Sequence, residues 1–290
     1  MADFTITGFA DEIGPDLAEQ IRGLHNNGIT HIEIRGIADK NVSEFTLEEA
    51  QAYQKQLAQA GIKVSSIGSP LGKIKITDEF APQLDLFKHV LAIAEVFQAP
   101  YVRCFSFFMA DADAERYQPE VIRRWQAFMQ AASAYPQITL LHENEKGIFG
   151  DTPERCLALL QAIDSPQLKA AFDPANFVQC GVEVYPHAFE LLAPYIAYIH
   201  IKDAQYRDRA VTPAGYGDGK VKAVLERLIA DDYHGFLSLE PHLSEFSGFA
   251  QLEQDGVSIA PNEIAGAQAF TVASNALKAI LVDQCHQDWK

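Results

Sequence analysis

Leu140-Leu141-His142-Glu143-Asn144, Ala170-Ala171-Phe172-Asp173, Tyr198-Ile199-His200-Ile201-Lys202 and Leu237-Ser238-Leu239-Glu240 are short apolar runs, each carrying a side chain able to bind a metal. Runs of this length, separated by segments with apolar residues at helical spacing, read as buried strands of a parallel sheet. Strand alternation puts Tyr198, His200 and Lys202 opposite Ile199 and Ile201, and Ser238, Glu240 and His242 opposite Leu237 and Leu239. One side is thus polar and the other is left for packing helices. Glu143, Asp173, His200 and Glu240 make a mixed oxygen-and-nitrogen donor set. Such a set suits Mn²⁺, Mg²⁺, Co²⁺ or Zn²⁺, with Mn²⁺ the preferred expectation.

Similar strand-like runs lie near residues 4–9, 31–36, 63–68, 101–106, 138–143, 169–173, 197–202 and 236–240. Their spacing of roughly 27 to 39 residues is that of a βα unit with a right-handed crossover. Eight such units predict a closed (β/α)₈ TIM barrel as a single domain over residues 1–290. Helix signals agree with this. Leu17, Ile21 and Leu24 share a face before a C-cap at Asn26-Asn27-Gly28, and Ala60-Gly61 is a second such ending. Asp151-Thr152-Pro153-Glu154 reads as a capped start of a helix reaching Ile163. After Glu240, a loop from Ser244 to Pro261 is expected to lead into a last helix over Asn262–Asp283. The competing architecture is an open doubly wound sheet. Gly8-Phe9-Ala10-Asp11-Glu12-Ile13-Gly14 lacks the glycines of a dinucleotide turn, and Gly215-Tyr216-Gly217-Asp218-Gly219-Lys220 is followed by Val221 rather than Ser or Thr.

A net charge of −16 with no local basic run disfavours a nucleic-acid partner. Cys104, Cys156, Cys180 and Cys285 are scattered, which fits a reducing cytoplasm, and no stretch has the apolar length of a membrane span. The expected partner is a small polyhydroxylated molecule, and a homo-oligomer is compatible with the composition.

His142-Glu143-Asn144, Phe172-Asp173-Pro174-Ala175-Asn176, His200-Ile201-Lys202-Asp203, Gly215-Tyr216-Gly217-Asp218-Gly219 and Leu239-Glu240 together resemble the xylose isomerase-like sugar isomerase/epimerase superfamily. This is a TIM-barrel group that includes ketose 3-epimerases, hydroxypyruvate isomerases, inosose dehydratases, 3-dehydroshikimate dehydratases and endonuclease IV type enzymes. The resemblance covers about residues 4–280. It implies that Glu143, Asp173, His200 and Glu240 bind one divalent cation, and that Glu143 and Glu240 face the substrate as an acid/base pair. It also implies isomerisation or epimerisation of a small sugar-like hydroxy-carbonyl compound through a metal-stabilised enediolate. Loss of a β-hydroxyl from the same intermediate, as in an inosose or dehydroshikimate dehydratase, is the alternative. A non-catalytic sugar-binding barrel and an abasic-site endonuclease are the weaker ones. Asn176 stands where ketose 3-epimerases look to have a substrate-binding His. There is no Asp-x-His pair after the seventh strand, as a three-metal endonuclease would need.

Around these ligands, Asn176, Lys146, Lys202, Arg207 and His242 are expected to contact substrate. Glu33 and Arg35 are expected to include an inward pair near the pocket, with a structural ion pair within the barrel as the alternative, and His142, of opposite parity to Glu143, is expected to play a supporting or structural part.

Overall fold

The computed structural model describes residues 2–244 and 265–290. Eight strands lie in one parallel sheet: β1 Asp3–Gly8, β2 His31–Ile34, β3 Lys63–Ile67, β4 Tyr101–Cys104, β5 Thr139–Glu143, β6 Leu168–Phe172, β7 Ile196–Ile201 and β8 His234–Leu239. From β2 to β8 each strand pairs with the next in sequence, and β8 returns to pair with β1 over Asp3↔His234 to Gly8↔Leu239. A bridge between Phe9 and Glu33 joins the upper ends of β1 and β2 and completes the (β/α)₈ barrel. Lower down, Lys290 exchanges backbone bonds with Phe4 and Ile6 on β1, so the last residues lie along that strand.

The helices follow local rules. Asp16 caps α1 (Leu17–Asn26), and the chain leaves it through Asn27 and Gly28, whose φ of +68° favours glycine. Thr46 and Glu49 form a reciprocal capping box on α2 (Leu47–Gln59). The helices α3 (Ala81–Phe97) and α4 (Ala114–Ala132) follow β3 and β4. Thr152 caps α5 (Pro153–Ile163), with Pro153 in the first turn as the sequence predicts. Shorter helices follow β6: α6 Pro174–Gln179 and α7 Phe189–Leu192. Beyond β7 and β8 come α8 (Val221–Ala230) and α9 (Gly266–Lys278). The last helix is shorter than expected, giving way to a looser turn over Ala279–Gln284. The expected loop from Ser244 to Pro261 lies almost wholly outside the described residues. Among the described residues no helix is long and apolar enough to cross a membrane.

Two separate apolar clusters follow from strand parity. Outward residues such as Ile32, Val102, Leu140, Phe172, Ile199 and Leu237 form the main core beneath the helices. Inside the barrel, Leu141, Ala171 and Tyr198 pack with Tyr101, Ala197 and Phe236 as an apolar floor. Above it the Tyr198 hydroxyl meets Ser65 Oγ at 2.9 Å, and Ser65 meets Thr7 at 2.8 Å. Two residues further along the same strands, the inward face becomes ionic.

Candidate metal centre

Parity and strand ends build the site. Glu143 is the last residue of β5, His200 lies near the end of β7, and Asp173 and Glu240 come one residue beyond β6 and β8. One ligand atom from each lies within 4.8 Å of the others, and all four residues are buried. Their positions at the C-terminal mouth match where barrel active sites are built.

Local bonds hold these positions. The Asn144 amide donates to the Asp173 carbonyl and accepts from the Asp173 amide, each at 2.9 Å, extending the β5–β6 pairing by one side chain. Asp173 caps α6 by accepting from Asn176 N at 2.9 Å, which aims its other oxygen, Oδ2, inward. Asn176 Nδ2 donates to Glu143 Oε1 at 3.2 Å.

Cations back each carboxylate. Arg103 reaches Glu143 Oε2 at 3.1 Å, and Arg35 reaches Glu240 Oε1 at 3.4 Å. Both guanidiniums stack on the Phe9 ring, 4.9 and 4.4 Å from its centroid. Lys202 Nζ lies 3.0 Å from Asp173 Oδ2 and 2.9 Å from Glu240 Oε2. His200 places Nδ1 at 3.1 Å from Glu143 Oε1 and Nε2 at 3.3 Å from Glu33 Oε2. Glu33 Oε2 also accepts from Ser238 Oγ at 2.6 Å.

Burial and neighbouring charges shift the buried groups in opposite directions. Burial, with Glu240 and Glu143 adding repulsion, pushes the Asp173 carboxyl up despite Lys202. Burial raises Glu12 to about 8, though Arg35 opposes it. Glu240 is held well below the usual range by Lys202 and His242 against the cost of burial. His200 is pushed well above its ordinary value against desolvation, mainly by Glu143 and Glu33. Asp173 Oδ2 and Glu143 Oε2 accept no aligned hydrogen bond although both are buried. A divalent cation among Glu143, Asp173, His200 and Glu240 would meet these oxygens and offset the repulsion. The donor set therefore fits the group that the sequence implies.

The structure brings most expected residues together. Lys146, Asn176, Lys202 and His242 line the cleft with Glu143 and Glu240. His242 enters from beyond β8, at a φ of +45°, with Nε2 at 3.3 Å from Glu240 Oε1. Arg207 is not among them: its side chain is 79% exposed and pairs with adjacent Asp208. Glu33 and Arg35 point inward but form no ion pair with each other. Successive inward positions on one strand stand at different heights, so Glu33 meets His200 while Arg35 meets Asp11, Glu12 and Glu240. His142 points away, bonding Ser106 at 3.0 Å and packing against Trp125. The glycine-rich stretch encloses an internal anion. The backbone N–H groups of Gly215, Gly217 and Gly219 all donate to the Asp203 carboxylate.

Arg103, Glu12 and the Glu33–His200 contact are additions from the structure. Arg103 carried a signal, a charged residue alternating with apolar ones in Tyr101-Val102-Arg103-Cys104. Glu12 carried none, since it lies on a short turn after β1 and is placed by Arg35 and by the His242 backbone N–H at 2.7 Å.

Several solved structures share this fold. A D-allulose 3-epimerase from Methylomonas sp., in complex with D-allulose, superposes with a TM-score of 0.74 at 15% identity, covering 97% of both chains. The probable 3-DHS dehydratase AsbF from Bacillus anthracis gives 0.68 at 17% identity, covering 96% of this chain and 99% of that one. A xylose isomerase-like TIM-barrel protein from Mycobacterium smegmatis, in complex with magnesium, gives 0.65 at 16% identity over 97% and 98% of the two chains. At these identities the likeness establishes the fold alone. No curated protein matches the chain. The pattern of the xylose isomerase-like TIM barrel matches residues 21–264, and the chain belongs to that family.

Proposed function

We propose that the protein is a divalent-metal-dependent isomerase or epimerase of a small hydroxy-carbonyl compound. The observation that carries this reading is the pair Glu143 and Glu240, brought from β5 and β8 to one four-ligand cluster and backed separately by Arg103 and Arg35. A bound Mn²⁺, Mg²⁺, Co²⁺ or Zn²⁺ would polarise adjacent carbonyl and hydroxyl oxygens and acidify the C–H between them. One of the two carboxylates takes that proton, and the enediolate is reprotonated at another carbon or on the other face by its counterpart. Asn176 and Arg103 hold Glu143, while Arg35 and His242 hold Glu240, so each base keeps a fixed orientation. Solved relatives in fold include one named a sugar epimerase and one crystallised with magnesium, which supports the same class.

Lys202 favours a second reading. Its ammonium sits beside Asp173 and Glu240 and would hydrogen-bond a departing β-hydroxyl and offset its developing charge, which would make the protein a dehydratase. A D₂O screen of ketoses and inososes with Mn²⁺, followed by NMR, separates the readings. Deuterium incorporation without loss of water supports isomerisation, and an unsaturated product absorbing in the ultraviolet supports dehydration. Glu143→Gln and Glu240→Gln should each slow exchange by about 10² to 10⁴ at saturating Mn²⁺, since the amide keeps an oxygen donor but accepts no proton. Wild-type exchange in both variants would refute the two-carboxylate mechanism.

A further inference from the structure

Phe9, one residue beyond β1, joins the two halves of the candidate site. Its ring is fully buried and does not line the cleft with Glu143 and Glu240, so its effect on the site runs through its neighbours. Those neighbours are both guanidiniums, with Arg35 Cζ 4.4 Å and Arg103 Cζ 4.9 Å from the ring centroid, and His200, whose ring meets it edge-on at 5.3 Å. Arg35 comes from just beyond β2 and Arg103 from β4. The edge of the ring reaches Gly68, just beyond β3 and between the two, where an added Cβ would collide with it. The glycine thus leaves the ring its place between the two arginines.

Hydrogen bonds hold the two arginines unequally. Arg35 donates to both oxygens of Asp11, at 2.8 and 3.0 Å, and to Glu12 at 3.0 Å. Arg103 donates to Gly68 O at 3.2 Å, but its buried Nε makes no hydrogen bond, and its contact with Glu143 Oε2 at 3.1 Å is not aligned as one. Aromatic faces do the rest, those of Phe9 and of Phe105, the latter 5.0 Å away. The two buried guanidiniums also repel one another. The negative face of an aromatic ring attracts both, which an aliphatic side chain of similar size does not.

We propose that Phe9 is a positioning residue for both acid/base carboxylates. Its π face fixes Arg103 behind Glu143 and steadies Arg35 behind Glu240, so that the two carboxylates keep their orientations together. This rests on the reading of the site given above.

The test replaces Phe9 in the full chain with 4-fluoro-, 3,4-difluoro- and 3,4,5-trifluorophenylalanine, which keep the ring while withdrawing charge from its face. A further variant carries 4-methylphenylalanine, bulkier than the 4-fluoro residue but electron-rich. Mn²⁺ affinity, read by competition with a chelating dye, should weaken stepwise with each fluorine. The trifluoro variant should lose about three- to tenfold, the size of a buried cation–π contact passed on in part to the metal, and the methyl variant should stay nearer the native value. A flat series, or weakening that follows bulk and not fluorine count, would overturn the proposal and leave Phe9 a packing residue. Urea unfolding of the metal-free chain across the same series gives a readout independent of the metal. Stability should fall with fluorine count, and unchanged or rising stability would equally overturn the proposal. A native chain that binds no Mn²⁺ would sink the isomerase reading, and the unfolding series alone would then decide whether the ring holds the arginines.

Discussion

Glu33 is a residue that would set cation binding at the proposed site without itself reaching the cation. Its carboxylate faces His200 Nε2 at 3.3 Å and is itself fixed by Ser238 at 2.6 Å, leaving His200 Nδ1 turned toward Glu143, Asp173 and Glu240. A carboxylate behind a ligating imidazole fixes its tautomer and orientation. Glu33→Leu should therefore weaken Mn²⁺ binding about 10- to 100-fold, read by competition with a chelating dye, with Glu33→Gln recovering part of the loss. Titration at the site also has a net sign, in which Glu12 and His200 outweigh His242, lowered by burial to about 3 and acting in the opposite sense. A carboxyl raised in the folded state, as Glu12 is from 4.5 to about 8, disfavours folding progressively as pH climbs through that window. His200, raised above 6.5, acts in the same sense because its stabilisation is full below that value and is lost as pH rises through its folded value. Metal-free protein should thus melt at a lower temperature at pH 8 than at pH 6, and Mn²⁺ should shrink the difference. An equal slope with and without Mn²⁺ would contradict this. The four proposed ligands were visible in the sequence because parity and strand ends are local properties. Arg103, Arg35 and Glu12 acquire their roles from partners on distant strands, which no local pattern specifies.

At the level of elements, one side chain gathers four backbone donors in the loop after β7. Asp203 is fully buried and accepts from the N–H groups of Ala204, Gly215, Gly217 and Gly219. Gly217 and Gly219 are required by space, since a Cβ at either would come within 2.3 and 2.7 Å of the Asp203 carboxylate. Asp203→Ala strips these donors of their acceptor in a place closed to water. It should cost about 3 kcal/mol or more in urea unfolding, with Asp203→Asn intermediate. A loss under about 0.5 kcal/mol, ordinary for a surface change, would show that the loop is held by other contacts. The glycines at these positions were readable as unusual, and their use was not, because a glycine-rich stretch has the same appearance around a ligand phosphate and around an internal carboxylate. Helix caps were read more fully: Thr152 with Pro153, and Gly28 and Gly61 beyond their helices, stand where sequence chemistry alone puts them.

Over the whole molecule, eight strands with helices between them were countable because each βα unit repeats the same change of hydrophobic period. The seam between β1 and β2 was not foreseeable. It closes through one bridge at Phe9 and Glu33 above, while Lys290 pairs with β1 below, and the latter contact spans nearly the full length of the chain. What the barrel accomplishes is convergence, since its successive strands β5 to β8 each deliver one member of the four-ligand cluster from a different part of the sequence. Calorimetric titration of metal-stripped protein with Mn²⁺, beside Asp173→Ala, tests that claim most directly. The account predicts about one cation bound per chain, with affinity falling at least about tenfold in the variant because the remaining carboxylates still repel and one donor is gone. No binding by the wild-type chain, or equal affinity in both, would contradict it.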